Sequence, residues 1–250
     1  MNETRQFLRI EENRQLTHKS WKIVLSGCVI DNPVDGQFVN IAVPGKYLRR
    51  PISVHWYDKT NARLELIYDV AGEGTEILSQ MKSGEQLDVL VGLGNGFSIP
   101  ENVSRPVILG GGIGVAPLYQ LSVHLKEEGV KPIVIFGYNT KHDIIPGYEI
   151  LQEFGIPVFI ATVDGSEGTK GFVTDVISRN NILYDYFYAC GPTPMLRAVS
   201  TLPSPGQLSL ECRMGCGFGV CVCCSLETKT GNRRICKEGP VFFKDDLIWK

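Results

Sequence analysis

The sequence predicts a multidomain protein that combines an antiparallel β-barrel, a doubly wound parallel α/β domain and a small cysteine-rich domain. Short strands separated by turn residues fill the chain up to about residue 100, which is typical of a barrel. From about residue 104, strands alternate with helical patterns, as in a parallel sheet. Four cysteines with the spacing of an iron–sulfur site follow. We therefore expect three units, at 1–102, 103–206 and 207–250.

The composition is that of an ordinary globular chain with little net charge. The 250 residues are 43% hydrophobic and have a formal net charge of −2, so we expect neither nucleic acid nor membrane as a partner. No apolar run approaches the roughly 18 residues of a membrane-spanning helix. No apolar export segment follows Met1 to Arg5. Because the cysteine pattern requires reduced thiols, we expect a cytoplasmic protein.

The barrel prediction depends on runs of β-branched and aromatic residues between glycine-containing corners. The runs lie at 21–27, 37–43, 52–57, 63–70 and 87–91. Asp35-Gly36, Pro44-Gly45 and Ser83-Gly84 supply the corners. A helical pattern interrupts the strands from Thr75 to Met81.

Two short segments of the barrel contain residues suited to a diphosphate. In Arg49-Arg50-Pro51-Ile52-Ser53 an arginine precedes a proline at the mouth of a strand. Gly72-Glu73-Gly74-Thr75 opens the helical pattern, so its free N–H groups suit a phosphate. Together they would bind one diphosphate by charge-assisted bonds and by the helix dipole. The alternative is an ordinary solvated strand start and a simple turn.

The middle of the chain predicts a nucleotide-binding sheet. Strands are expected at 106–109, 132–137, 157–162 and 186–190, with a helix from about 116 to 128. Ligands of such sheets bind at the carboxyl ends of the strands. There Gly110–Gly114 lets the backbone approach a pyrophosphate, although the run departs from the usual G-x-G-x-x-G. A tight turn without a ligand is the alternative.

A second loop at the same predicted edge has room for a flat ring. Cys190-Gly191-Pro192 ends the last of these strands, and a small thiol beside glycine leaves space there. A buried cysteine before a helix would also explain the pattern.

The cysteine block has the spacing of a [2Fe–2S] site. Cys216, Cys221 and Cys224 are spaced C-x4-C-x2-C, and eleven residues separate Cys224 from Cys236. Glycines at 215, 217 and 219 allow the loop to turn its amides towards the cluster. Zinc remains an alternative, although structural zinc favours two C-x2-C pairs and only one is present. Cys212 and Cys223 have no predicted role.

Taken in order, these motifs resemble the ferredoxin–NADP reductase superfamily over residues 5–200. The terminal segments Glu211–Gly219 and Ile235–Phe242 narrow the resemblance to electron-transfer subunits of NAD-dependent (B form) dihydroorotate dehydrogenases. The family implies a flavin barrel, an NAD domain and a [2Fe–2S] domain. It also implies an FMN-containing catalytic partner in a heterotetramer, two of each subunit, that serves pyrimidine (UMP) biosynthesis.

The resemblance assigns a cofactor to each motif. FAD is implied at Arg50, Pro51, Ile52, Ser53, Ile67, Tyr68, Asp69, Gly74 and Thr75. NAD is implied at Gly110, Gly111, Gly112, Ile113, Gly114, Cys190, Gly191 and Pro192, with hydride transfer from FAD near Cys190. The [2Fe–2S] cluster is implied at Cys216, Cys221, Cys224 and Cys236.

Asp164 predicts NAD rather than NADP. NADP-specific members of the superfamily have serine and arginine after the third strand of the nucleotide domain, where this chain has Thr162-Val163-Asp164-Gly165-Ser166. A carboxylate there would repel a 2′-phosphate and bind ribose hydroxyls.

The expected role is electron transfer, because no acid–base or nucleophile constellation for dihydroorotate chemistry is present. Electrons would pass from the partner's FMN through the cluster and FAD to NAD⁺. One alternative is the small subunit of another flavin and iron–sulfur oxidoreductase, such as an NADH-dependent ferredoxin:NADP reductase or a sulfide dehydrogenase. Those relatives have aspartate as the first cluster ligand, so Cys216 argues against them. Another is a zinc-stabilised nucleotide-binding module.

Overall fold

Six antiparallel strands form a closed barrel in the first part of the computed structural model, which describes residues 4–249. The strands are β1 (Thr4–Gln15), β2 (Ser20–Ser26), β3 (Phe38–Ile41), β4 (Arg50–Asp58), β5 (Arg63–Asp69) and β6 (Gln86–Leu93), and helix α1 (Glu73–Gln80) follows β5. The order around the barrel is β1-β2-β5-β4-β3-β6. Leu8, Ile23, Leu64 and Leu66 are among the fully buried side chains that fill it.

β1 is the barrel strand that the sequence patterns did not identify. Leu8 and Ile10 are its only buried residues, and most of the others are polar. The strand pairs with both β2 and β6 and so closes the barrel. β1 is therefore identified as a strand by its pairing with β2 and β6, and not by an alternation of apolar and polar residues in its own sequence.

A seven-stranded sheet forms the second part of the molecule. Its first strands are β7 (Pro106–Gly111), β8 (Ile133–Tyr138), β9 (Val158–Thr162), β10 (Thr169–Lys170), β11 (Tyr186–Cys190) and β12 (Gly206–Ser209). Four helices accompany them, α2 (Leu118–Glu127), α3 (Glu149–Glu153), α4 (Val173–Arg179) and α5 (Thr193–Val199). β15 (Val241–Phe243) is the seventh strand of this sheet. The strands β13 (Ser225–Thr228) and β14 (Gly231–Arg234) form a separate two-stranded sheet. Short 3-10 helices lie at Gly112–Val115, Lys141–Asp143 and Lys244–Asp246.

The order of the sheet is β10-β9-β8-β7-β11-β12-β15. All neighbouring strands are parallel except β12 and β15. The chain builds outward from β7 to β10 and then returns to β11 on the other side of β7. β7 and β11 therefore flank the topological switch point, where ligands of doubly wound sheets bind. The barrel, the parallel sheet and the C-terminal unit confirm the predicted fold class.

One apolar core joins the three parts. Phe38 and Leu93 of the barrel belong to the same buried cluster as Leu109 of the sheet and Cys236 and Phe242 of the C-terminal segment. β15 also extends the sheet by pairing with β12. The predicted boundary after residue 206 falls inside β12. The residue limits of the three units stay a prediction.

The predicted helices occur with small shifts at their ends. The pattern at 75–81 corresponds to α1, which begins two residues earlier, at Glu73, and ends at Gln80. The pattern at 116–128 corresponds to α2, which begins at Leu118, after the 3-10 turn. Among residues 4–249, no helix combines the length and apolar character needed to cross a membrane.

Side chains connect the barrel to α2 and to the turn before it by bonding backbone groups of the other part. The Gln120 side chain accepts the N–H of Tyr57 at 2.9 Å and donates to its carbonyl at 3.0 Å. His55 Nδ1 donates to the Ala116 carbonyl at 2.9 Å, and its ring packs edge-on against Tyr119. Burial lowers the pKa of His55 to about 4, so the imidazole is neutral at this interface.

We expect His55 to make the protein less stable in mild acid. In the unfolded chain it binds a proton near pH 6.5, whereas in the folded chain its pKa is about 4. The unfolded state therefore binds the extra proton between these values, and the free energy of unfolding falls by about 3 kcal/mol as pH drops from 6.5 to 4. Urea unfolding of the protein and of His55→Gln across this range checks it. Equal pH slopes for the two proteins would contradict the assignment.

Candidate functional site

A cavity of about 560 Å³ lies between the barrel and the carboxyl edge of the sheet, at the switch point. The barrel contributes Lys19 and Asp69. The carboxyl ends of the strands and the segments that follow them contribute Gly111–Gly114, Tyr138, Asn139, Asp143, Val163, Phe172, Cys190–Pro192, Met195 and Glu211, among others. The site therefore adjoins both large parts of the chain.

Two loops meet at the floor of this cavity. A Cβ placed on Gly114 would lie 2.6 Å from the carbonyl carbon and oxygen of Cys190, so no side chain fits there. A Cβ on Gly191 would lie 3.1 Å from the amide nitrogen of Gly111. Because these backbones are in direct contact, the glycines after β7 and β11 are required by the approach of the two loops.

Most of the residues that the sequence assigned to NAD line the cavity. They are Gly111, Gly112, Ile113, Gly114, Cys190, Gly191 and Pro192. Gly110 does not: it lies within β7, where a Cβ would collide with Phe136 and Val115. Asp164 does not line it either, although its neighbour Val163 does. The turn at the floor is a 3-10 helix, and α2 begins only at Leu118.

Asp164 is held by its own loop. Its Oδ1 accepts the amide N–H of Ser166 at 2.9 Å and the hydroxyl of Ser166 at 2.6 Å. These bonds lower the pKa of the carboxyl group below its usual value. The group is therefore ionised at neutral pH and is exposed beside the cavity.

The cavity lining carries more negative than positive charge. Asp69, Asp143 and Glu211 line the cavity together with one ammonium, that of Lys19, which lies 3.5 Å from Asp69 and 3.8 Å from Asp143. The lysine thus joins the barrel to the sheet across the cavity. Burial, and secondly the charge of Asp69, raise the pKa of Glu211.

Cys190 presents a neutral thiol to this site. Burial raises its pKa to about 12, and the charge of Glu211 adds to the effect. The thiol therefore stays protonated at neutral pH, as suits a small apolar contact rather than a nucleophile.

The two predicted phosphate-binding segments lie against each other. A Cβ on Gly74 would lie 2.2 Å from Nε of Arg50, so the guanidinium covers this glycine at the start of α1. Neighbouring Arg49 is paired with Asp88 at 2.8 Å. Arg50 forms no ion pair among the described residues and donates to the Leu48 carbonyl. Its charge contributes, after the contact with Lys46, to the lowered pKa of exposed Glu73, but it has no carboxylate of the described residues within ion-pair distance.

The other residues assigned to FAD differ in what their side chains offer. Thr75 Oγ1 accepts the amide of Ala71 at 2.9 Å and so holds the turn before α1. Ile52, Ile67 and Tyr68 are buried, and the Tyr68 hydroxyl bonds Asn13. Pro51 and Ser53 are half-buried on β4, and Asp69 lines the cavity.

The four predicted cluster cysteines form two pairs. The amide of Cys216 lies 3.4 Å from Sγ of Cys221, and the amide of Cys221 lies 3.4 Å from Sγ of Cys216. The thiols of Cys224 and Cys236 are 3.2 Å apart. Within residues 4–249, no three His, Cys, Asp or Glu side chains are grouped around one metal position. Two pairs of thiols suit two irons better than one tetrahedral zinc.

In the pair formed by Cys216 and Cys221, backbone amides favour the ionised thiolate form of Cys216. Burial opposes ionisation of Cys216, but the amides of Cys221, Phe218 and Val220 outweigh it and lower the pKa to about 6. Gly217 and Gly219 have φ values of 78° and 90°, which allow this turn. The donor set therefore fits an iron–sulfur cluster, which requires thiolates and accepts backbone hydrogen bonds.

Two residues that the sequence analysis did not identify hold the cysteine segments. Asn40 of β3 donates to the Cys216 carbonyl at 3.0 Å. Asn95 accepts the amide of Val241 at 3.1 Å and donates to the carbonyls of Val241 and Glu238. A polar residue inside the apolar run of β3 was a signal for the first. Nothing in the sequence pattern pointed to Asn95, Lys19 or Asp143.

Two known protein families match segments of this chain. The iron-sulfur cluster binding domain of dihydroorotate dehydrogenase B matches residues 211–248. The oxidoreductase NAD-binding domain matches residues 108–201.

Two relatives and one solved structure are similar to this chain over nearly its whole length. The electron transfer subunit of dihydroorotate dehydrogenase B (NAD(+)) from Fusobacterium nucleatum is 39% identical over 251 residues, 95% of this chain and 96% of the relative. The Bacillus pumilus subunit is 39% identical and covers 96% of this chain and 97% of its own. An NADH-dependent reduced ferredoxin-NADP oxidoreductase structure superposes with a TM-score of 0.88 and 29% identity, over 100% of this chain and 92% of that one. The chain therefore belongs to the family of electron transfer subunits of dihydroorotate dehydrogenase B (NAD(+)).

Proposed function

We propose that this chain transfers electrons from a dihydroorotate-oxidising catalytic subunit to NAD⁺ in pyrimidine biosynthesis. The observation that carries the proposal is the arrangement of the three candidate sites. Asp69 of the flavin-assigned strand and Cys190 of the NAD-assigned loop line one cavity. On β3, the neighbour of flavin-assigned β4, Asn40 bonds the cysteine loop. The barrel thus adjoins both other sites.

The proposed cofactors differ in how many electrons they carry: the cluster exchanges one, NAD⁺ accepts a hydride, and FAD connects the two because it exchanges either one or two. The chain's own residues bind and orient them. We assign FAD to Arg50, Pro51, Ile52, Ser53, Ile67, Tyr68, Asp69, Gly74 and Thr75. The guanidinium of Arg50 lies over Gly74 without an ion pair among the described residues, which supports a diphosphate there.

We assign NAD to Gly111–Gly114, Asp164 and Cys190–Pro192, and Gly110 supports this turn by packing within β7. The thiol of Cys190 stays neutral and lines the cavity together with the two contacting loops, which supports a nicotinamide ring there. The carboxylate of Asp164, ionised and exposed beside the cavity, supports NAD over NADP because it repels a 2′-phosphate.

Cys216, Cys221, Cys224 and Cys236 are the proposed ligands of a [2Fe–2S] cluster, with one thiol pair for each iron. All eight cysteines of the chain are free. Free thiols suit a reducing compartment, and we infer a cytoplasmic location.

The cysteine loop is the proposed docking surface for the catalytic subunit. Val220 is 78% exposed and Val222 is 74% exposed, beside a partly exposed Phe218. Exposed apolar side chains around a redox site favour contact with a partner protein. We propose that the partner contains FMN and that two copies of each subunit form a heterotetramer.

Replacing one cysteine ligand tests whether the cluster can be lost while FAD stays bound. Cys221→Ser is expected to abolish the cluster's visible absorbance and the rhombic EPR signal of its reduced form, while FAD stays bound. Cys223→Ser is the matched control, because Cys223 is exposed and lies outside both thiol pairs. Retention of the EPR signal in Cys221→Ser, or its loss in the control, would refute the ligand assignment. Protein that holds no iron after anaerobic reconstitution would refute the proposed function itself.

Asp164 tests the choice of nucleotide. Asp164→Ser is expected to raise kcat/KM for NADP relative to NAD by roughly two- to fivefold, because an exposed carboxylate repels a phosphate only weakly in water. Glu167→Gln changes a charge in the same exposed loop and serves as the control. An unchanged ratio in Asp164→Ser would mean that this carboxylate does not face the ribose.

Charged side chains placed on the exposed valines test the proposed docking surface. Val220→Lys with Val222→Lys is expected to weaken binding to the catalytic subunit by at least tenfold, since each buried valine contributes roughly 1.5 kcal/mol or more. FAD and iron content should not change. Leu183→Lys is the control, because Leu183 is 71% exposed and lies before β11, at the amino ends of the sheet strands. Unchanged affinity by analytical ultracentrifugation would place the interface elsewhere.

A further inference from the structure

Asn40 is a buried polar residue that the barrel itself does not require. The four residues of β3 are all buried, and its neighbours Val39 and Ile41 belong to the barrel core. The Nδ2 group donates to the Cys216 carbonyl, but Oδ1 has no hydrogen-bond partner among the described residues. An unpartnered buried acceptor costs about 1–3 kcal/mol. An apolar side chain would therefore serve the barrel better.

The cysteine loop is shaped around this side chain. Gly217 follows Cys216 directly and has a φ of 78°. A Cβ at Gly217 would lie 2.2 Å from Nδ2 of Asn40, so the loop backbone rests on the amide. The carbonyl of Cys216 and the N–H of Gly217 belong to one planar trans peptide and point in opposite directions. By binding the carbonyl, Asn40 turns that N–H away from the barrel.

The backbone of Asn40 is held by β4, the strand that carries residues assigned to the flavin. Its partner in the ladder between β3 and β4 is Pro51, which lies between Arg50 and Ile52. Its carbonyl also accepts a bond from Arg49, at 3.3 Å, and Arg49 is itself paired with Asp88. Asn40 therefore links a strand that adjoins the flavin-assigned residues to the first ligand of the cysteine loop.

We propose that Asn40 is a positioning residue that sets the orientation and reduction potential of the iron–sulfur cluster relative to the flavin. The inference rests on the proposed function, because it requires that Cys216 ligate a cluster. Hydrogen bonds and the direction of loop amides tune such potentials. Asn40 acts on them through the peptide that joins Cys216 to Gly217.

The test compares Asn40→Leu with the parent protein and with Gln120→Met, each reconstituted anaerobically. Both variants replace an amide side chain that bonds backbone groups of another part of the fold, but Gln120 contacts Tyr57 rather than the cysteine loop. We expect Asn40→Leu to change the g values of the reduced cluster. Its ratio of reduced to oxidised cluster at a fixed potential should change by up to about tenfold, which is 59 mV for one electron. Gln120→Met should leave both quantities unchanged.

The possible outcomes distinguish the positioning role of Asn40 from the electron-transfer function. Loss of iron from Asn40→Leu, with iron retained in Gln120→Met, also supports the proposal. If the parent holds the cluster and Asn40→Leu has the same EPR spectrum and potential, the positioning role is wrong but the electron-transfer function stands. A parent protein that binds no iron is the result that removes the function.

A second variant approaches the same contact from the loop, in case Asn40→Leu does not fold. Gly217→Ala places a methyl group against Nδ2 of Asn40. We expect Gly217→Ala to shift the cluster potential more in the parent protein than in Asn40→Ala, because the shorter side chain at position 40 makes room for the methyl group. An equal shift on adding Gly217→Ala to either protein would show that the strain of Gly217 alone is responsible, and would overturn the proposal.

Discussion

The burial of one apolar core shared by the barrel, the sheet and the C-terminal segment is the constraint on which the sites depend. Phe38, Leu109 and Phe242 come from three different parts of the chain and lie in the same buried cluster. Each buried side chain of this size contributes roughly 1.5–3 kcal/mol. A rotation of one part against another would expose this surface. The three candidate sites therefore keep fixed positions relative to each other.

Within that frame, polar contacts set the finer geometry. Gln120 and His55 fix the barrel against α2, and Lys19 joins the two walls of the cavity. Asn40 and Asn95 fix the two cysteine segments to the barrel. The apolar core thus gives the strength, and a few amides and charges give the alignment that electron and hydride transfer require.

The sequence was a good guide wherever the signal is local. The spacing of Cys216, Cys221 and Cys224, the glycine run after β7 and the apolar strands of the sheet are readable from adjacent residues, and the predicted fold class is confirmed. Contacts between distant segments were not readable. β1 contains only two buried residues, and its position depends on its partners β2 and β6. Gly110 looked like part of a phosphate loop because sequence cannot distinguish a glycine needed for packing against Phe136 from one that faces a ligand.

The second thiol pair owes its proximity to a hairpin. Cys224 directly precedes β13 and Cys236 follows β14 by two residues, while Ser225 is paired with Arg234 in the register of that hairpin. Adding one residue to each strand lengthens the ribbon without separating its base, whereas adding a residue to one strand alone shifts the alignment. The hairpin therefore tolerates a change of two residues between Cys224 and Cys236 better than a change of one. The short intervals within the first loop have no such freedom.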